Sequence, residues 1–280
     1  MTATPDASSD TDMAERVLTA TVDAAVEVLR EQLASVYALG SLAHGGFAPL
    51  VSDVDVALVL AAVDGAVTDQ IAEVAARARA RVRDPLSDRL SIFWSDWRGV
   101  RHGADGRGRL PEVDRLDLLE SGRLLHGLDQ REPAEFPAKS ALVRGGANHA
   151  RAGFDRGYLE LVTDPSRLLE RGVRRVTKVV LFPVRFLYTL ETGRIGLNAA
   201  AVEWYAARGP SAELVGTANS WRTTGITDPA RAMQLLAEHL PALYQEFFGT
   251  YEIAMTAAGE HELADALAER SRWLAQSGHK

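Results

Sequence analysis

The chain has no cysteine, which excludes disulfides, thiolate nucleophiles and cysteine-ligated zinc. Its histidines are His44, His102, His126, His149, His239, His261 and His279, and none stands three or four residues from another, so a helical zinc motif is excluded too. Lysine occurs only at Lys139, Lys178 and Lys280; with the high alanine content, the dominance of arginine reads as coding bias. The formal net charge of −7 argues against polyanions, so neither nucleic acid nor a membrane surface is expected as a partner. No apolar run is long enough to cross a bilayer, and the opening "MTATPDASSDTD" lacks the apolar segment of a signal peptide. Residues 1–12 are expected to form a disordered leader on a cytoplasmic protein.

What is present divides into two halves. From Met13 to about Ala34, Val17, Leu18, Val22, Ala25, Val26 and Leu29 recur at helical spacing. "SVYALG", "SDVDVALVLA" and "RLSIFWS" read as buried strands, with a helix from about Thr68 to Val82 between the second and third. This alternation predicts an α/β domain over residues 13–135. After Pro137 the strand signals stop, and helices are predicted at 138–163, 166–192, 198–208, 211–223, 229–257 and 260–276, an all-helical domain over residues 136–280. Asp164-Pro165 and Asp228-Pro229 each offer a capping carboxylate before a proline suited to the first helical position.

Chemistry concentrates in "GSLAHGGFAPLVSDVDVALVL", residues 40–60. Side chains two apart on a strand share a face, so Asp53 and Asp55 point together while Val54 and Val56 point into the core. Two carboxylates held that close repel each other and resist desolvation. A divalent cation removes the difficulty, and oxygen ligands on one rigid strand suit Mg²⁺, which takes substrate phosphates as further ligands. The preceding Gly40-Ser41 turn permits close backbone approach and offers a hydroxyl and N–H groups to phosphate. Phosphate at the turn and metal at the aspartates describe a nucleoside-triphosphate site. A serine-hydrolase reading of Ser41 fails, because no Gly-x-Ser-x-Gly pattern surrounds it.

The succession strand, Gly40-Ser41, short helix, then Asp53-x-Asp55 entering a second strand resembles the DNA-polymerase-β-type nucleotidyltransferase superfamily. A second segment, "KVVLFPVRFLYTLETGRIGLNAAAVEW" at residues 178–204, is similar to the helical domain of aminoglycoside adenylyltransferases of the streptomycin/spectinomycin type, through Arg185, Tyr188, Thr192-Gly193-Arg194-Ile195 and Trp204. The resemblance implies a mixed-sheet nucleotidyltransferase domain followed by a helical domain. It implies transfer of AMP from MgATP to a hydroxyl of a small molecule, with Asp53 and Asp55 holding Mg²⁺ and Gly40 and Ser41 cradling phosphates.

Three positions depart from the family pattern. Ser91 falls where a third carboxylate, the general base or a metal ligand, is expected. Asp88 and Asp96 flank it with the opposite strand parity, and Asp88 is the preferred base candidate. Asn198 replaces a lysine that would meet the ATP phosphates, a role that Arg194, Lys178 or Arg185 could assume. Arg175 replaces an acidic drug-contacting residue and disfavours a polycationic acceptor. Two alternatives stay open: a catalytically degenerate nucleotide- or partner-binding protein of the same fold, and transfer of AMP to a protein. The tryptophans of "FWSDW" read as core or interface residues, and Asp114 and Asp117 as a solvated helix face.

Overall fold

The computed structural model describes residues 7–103 and 108–277, with side chains from residue 11. The chain divides into two compact units, Met1–Pro137 and Ala138–Lys280.

In the first unit, α1 (Ala7–Leu29) leads through a single 3-10 turn into β1 (Leu33–Leu39). The helix therefore takes in residues 7–12 of the segment expected to be a leader; residues 1–6 lie outside the described residues. Next come α2 (Ser41–His44), β2 (Val54–Leu60), α3 (Val67–Val82), β3 (Leu90–Asp96), α4 (Trp97–His102), α5 (Glu112–Ser121) and β4 (Arg123–Gly127). The strands form one mixed sheet in the order β3-β2-β1-β4. β1 runs antiparallel to both β2 and β4, whereas β2 and β3 are parallel because α3 carries the chain back across the sheet.

Both faces of the sheet are covered, as the near-continuous apolar runs require. On one face Val36, Ala38, Val54, Val56, Leu58, Leu60, Leu90 and Ile92 pack against Val17, Leu18 and Leu29 of α1 and Ile71, Val74 and Ala78 of α3. On the other, Tyr37, Leu39, Ala57 and Val59 meet Val100 of α4 and Leu118 of α5. Asp55 belongs to this second face by parity, so α5 is the helix that closes over its side of the sheet.

The second unit is helical: α6 (Lys139–Gly153), α7 (Arg156–Thr163), α8 (Pro165–Leu169), α9 (Gly172–Thr192), α10 (Asn198–Ala206), α11 (Ala212–Thr224), α12 (Pro229–Ala257) and α13 (His261–Ser277). Two of the predicted helices are each broken in two. Phe154 leaves helical geometry and Asp155 caps the next helix, accepting from Tyr158 N at 2.8 Å; Gly172, at φ +78°, interrupts the other. Asp164 and Asp228 cap α8 and α12, each accepting a backbone N–H at 3.0 Å with the proline directly behind. An aromatic cluster of Phe154, Tyr158, Tyr244, Phe247, Phe248 and Tyr251 fills the bundle, and its polar tips are satisfied: Tyr158 and Tyr244 hydroxyls lie 2.6 Å apart, and Tyr244 donates to Val179 O at 2.8 Å. Among the described residues no helix is long and apolar enough to cross a membrane.

Candidate active site

The site begins where β1 ends. Leu39 is the last residue of β1 paired with β2, opposite Asp55, and Gly40 then turns with φ +62° and ψ −151°. That conformation is accessible essentially to glycine alone. Packing demands glycine as well, because a β-carbon on Gly40 would lie 2.7 Å from Asp55 Oδ2. The chain enters α2 at once, with Gly40 O accepting from Ala43 N at 3.0 Å and His44 N at 3.2 Å. Ser41 is partly buried at the start of this single turn.

Asp53 precedes β2 and Asp55 lies within it; both are partly exposed between buried Ser52, Val54 and Val56. The loop leading to them is pinned by Ala48 N donating to Ser52 Oγ at 2.9 Å and by Arg89 Nη1 donating to Pro49 O at 2.6 Å. The donor types suit Mg²⁺: carboxylate oxygens two residues apart in the chain, with the Gly40 backbone packed directly against Asp55. Among the described residues no group of three or more Cys, His, Asp or Glu side chains that could hold a metal ion is found.

Behind the turn stands a carboxylate that the sequence reading assigned to a solvated face. Asp117 of α5 is only 5% exposed, and Gly40 N donates to its Oδ2 at 2.6 Å. The Gly40 N–H is therefore committed inward. The tertiary reason is that α5 crosses the end of β1, where β4 no longer accompanies it: the β1–β4 pairing stops at Ala38 opposite Arg123.

The strand register places Ser91 of β3 directly beside Asp55. Asp88 is exposed in the 3-10 turn Ser87–Arg89 that leads into β3. Asp96 lies at the far end of the parallel pair, opposite Leu60, where it caps α4 by accepting from Gly99 N at 2.8 Å. His44 is occupied locally, its Nδ1 donating to Gly45 O at 2.8 Å. Trp97 packs edge-on against Tyr37 with ring centroids 6.4 Å apart, and Trp94 joins the α1/α3 face of the core.

In the second unit, Arg194 is exposed just after Gly193, whose φ of +69° ends α9, and Asn198 opens α10, partly exposed. Arg185 of α9 organises this turn: its Nε donates to Gly196 O at 2.5 Å, and a β-carbon on Gly196 would lie 2.6 Å from Arg185 O. Burial first, and then the charge of Arg185, pushes the Arg222 guanidinium of α11 below its ordinary value. The same two causes lower His149. Trp204 is held in packing, donating from Nε1 to Glu191 Oε1 at 3.2 Å and covered by the Arg208 guanidinium 4.4 Å from its ring centre. Arg175 stacks 4.8 Å over the Tyr158 ring. Sequence reasoning missed the burial of Asp117, for which the available signal was an acid set between Leu116 and Leu118.

A mixed four-stranded sheet with a Gly-Ser turn against Asp55, followed in the chain by a helical unit, is a fold shared with a solved adenyltransferase. Among solved structures, the chain is similar to spectinomycin adenyltransferase AAD(9) from Enterococcus faecialis, crystallised with ATP and spectinomycin. The TM-score is 0.55 at 15% sequence identity, covering 81% of this chain and 98% of that one. No protein-family model matches the chain. Among curated proteins, it is 24% identical over 122 residues to a probable indole-3-pyruvate monooxygenase, YUCCA10, of Arabidopsis thaliana. That match covers 41% of this chain and 32% of the plant protein's length. At these identities the likeness to AAD(9) is one of fold.

Proposed function

We propose that the chain is an MgATP-dependent nucleotidyltransferase that moves AMP to a hydroxyl of a small molecule. The observation that carries this reading is the Gly40 backbone packed against Asp55, so that a turn suited to phosphate and a carboxylate suited to a cation meet at one end of the two central strands. Asp53 and Asp55 hold Mg²⁺, which when bound neutralises phosphate charge and aligns the leaving pyrophosphate. Because the Gly40 N–H faces Asp117, the phosphate contact from this turn falls to the Ser41 hydroxyl, while Gly40 supplies close approach.

In the transfer, an acceptor hydroxyl oxygen bonds to the α-phosphorus, the bond from that phosphorus to the bridging oxygen breaks, and pyrophosphate leaves with its electron pair. The hydroxyl proton passes to a base, for which Asp88 is the candidate. The AAD(9) structure was solved with ATP and spectinomycin, which supports a nucleotide donor and a small acceptor here.

A second reading, a non-catalytic nucleotide-binding protein of this fold, is favoured by Ser91 beside Asp55. Pyrophosphate release from MgATP, measured with a panel of aminocyclitols and other hydroxyl acceptors, separates the two. Acceptor-dependent release that vanishes in the Asp53→Ala/Asp55→Ala double variant establishes the transferase. Mg²⁺-dependent ATP binding without release from any acceptor establishes the second reading, and no binding sinks both.

A further inference from the structure

The geometry points to Asp117 as a positioning residue for the nucleotide site, an inference that rests on the reading of Gly40, Asp53 and Asp55 as that site. Gly40 sits between two carboxylates. Its N–H donates to Asp117 Oδ2 at 2.6 Å, and the position of its missing β-carbon lies 2.7 Å from Asp55 Oδ2. One peptide thus fixes the spacing between the buried carboxylate of α5 and the partly exposed one of β2.

Satisfying a buried N–H at a strand end is a structural need that any neutral acceptor would meet. A carboxylate does more, because a charge-assisted bond is roughly twice as strong as a neutral one and holds its donor in a narrower geometry. The held donor belongs to the residue whose φ and ψ orient Ser41 and set how near the turn approaches Asp55. Rotation of the Gly40 peptide would move both at once. The neighbours of Asp117 make it immobile: Arg115, Leu116 and Leu118 of α5 are all buried, and Arg115 Nη1 donates to Val100 O at 3.1 Å and Glu135 O at 2.7 Å.

Two substitutions separate geometry from charge in the full chain. Asp117→Leu keeps the branching, with bulkier methyl ends, and removes the acceptor, whereas Asp117→Asn is nearly isosteric, keeps an acceptor and removes the charge. Binding of MgATP is read by calorimetry, folding by thermal melting, and the bond itself by the Gly40 amide proton in a ¹H–¹⁵N spectrum. Affinity is expected to fall about tenfold or more for Asp117→Leu and about threefold for Asp117→Asn, with the Gly40 proton moving upfield in both. The proposal is overturned if Asp117→Leu melts cooperatively and binds as the wild type does. Should that variant not fold, Asp117→Asn decides: a displaced Gly40 signal with unchanged affinity reduces the bond to a structural one, and an undisplaced signal shows that the carboxylate does not hold this N–H. Failure of the underlying site is a different result, a wild-type chain that binds no MgATP at all.

Discussion

Gly40 and Asp55 are in contact across the end of the β1–β2 ladder so closely that no side chain fits between them: a β-carbon on Gly40 would stand 2.7 Å from Asp55 Oδ2. With φ at +62° and ψ at −151°, an alanine there is also strained. Gly40→Ala is expected to lose about 1–3 kcal/mol of stability and to abolish MgATP binding. A denaturant titration and calorimetry on one preparation check both. Full affinity in a stably folded alanine variant would remove Gly40 from the site.

On the proposed reading Asp53 and Asp55 hold the cation, and a ligand that binds only the folded state stabilises it. Millimolar Mg²⁺ with ATP is therefore expected to raise the melting temperature of the wild type but not of Asp53→Asn or Asp55→Asn, and either substitution is expected to lower acceptor-dependent turnover by about 100-fold or more. Equal thermal shifts in all three proteins would place the metal elsewhere.

Ser91 is the residue that the register sets beside Asp55 on the neighbouring parallel strand. Ser91→Glu puts a carboxylate where the transfer reaction wants a base, and a positioned base contributes about 100-fold or more to rate. The variant is expected to raise pyrophosphate release, measured against the wild type with the same acceptor. A fall instead would mean that the reaction takes its proton elsewhere, Asp88 being the first place to look.

Asp129 reports on acid stability away from the site. Its hydrogen bond with Arg131 lowers its pKa from 3.8 to about 2, and Tyr37 donates to the same carboxylate at 3.0 Å. A depressed carboxylate stabilises the fold above its unfolded value, and that contribution is lost as pH falls through the folded one. The urea midpoint of the wild type should therefore drop between pH 4 and pH 2 more steeply than that of Asp129→Asn. Asp129 is well exposed and solvent screens it, so the difference is expected to be small. Parallel curves would show that the pair contributes nothing.

Local rules carried far in this chain. Strand parity carries Val54 and Val56 to the core and Asp55 to the opposite face, whereas Asp53, read as part of the same strand, lies just before it. Asp164 and Asp228 mark their helices because a side-chain oxygen before a proline satisfies an N–H that the helix leaves open. Helix breaks were less legible: Phe154 is apolar and keeps the helical period, and only its burial among Tyr158, Tyr244 and Phe247 shows why the chain bends there.

The sequence by itself determined the α/β-then-helical order of the chain, the face of Asp55 opposite Val54 and Val56, and the glycine at the turn, since each follows from period or from φ. Only the tertiary structure decided that Ser91 stands beside Asp55, that Arg185 and Arg222 lie near each other, and that Asp117 turns inward to Gly40. These relations join residues far apart in the chain, and they exist because a strand ends, a helix crosses it, and a buried N–H must find a partner.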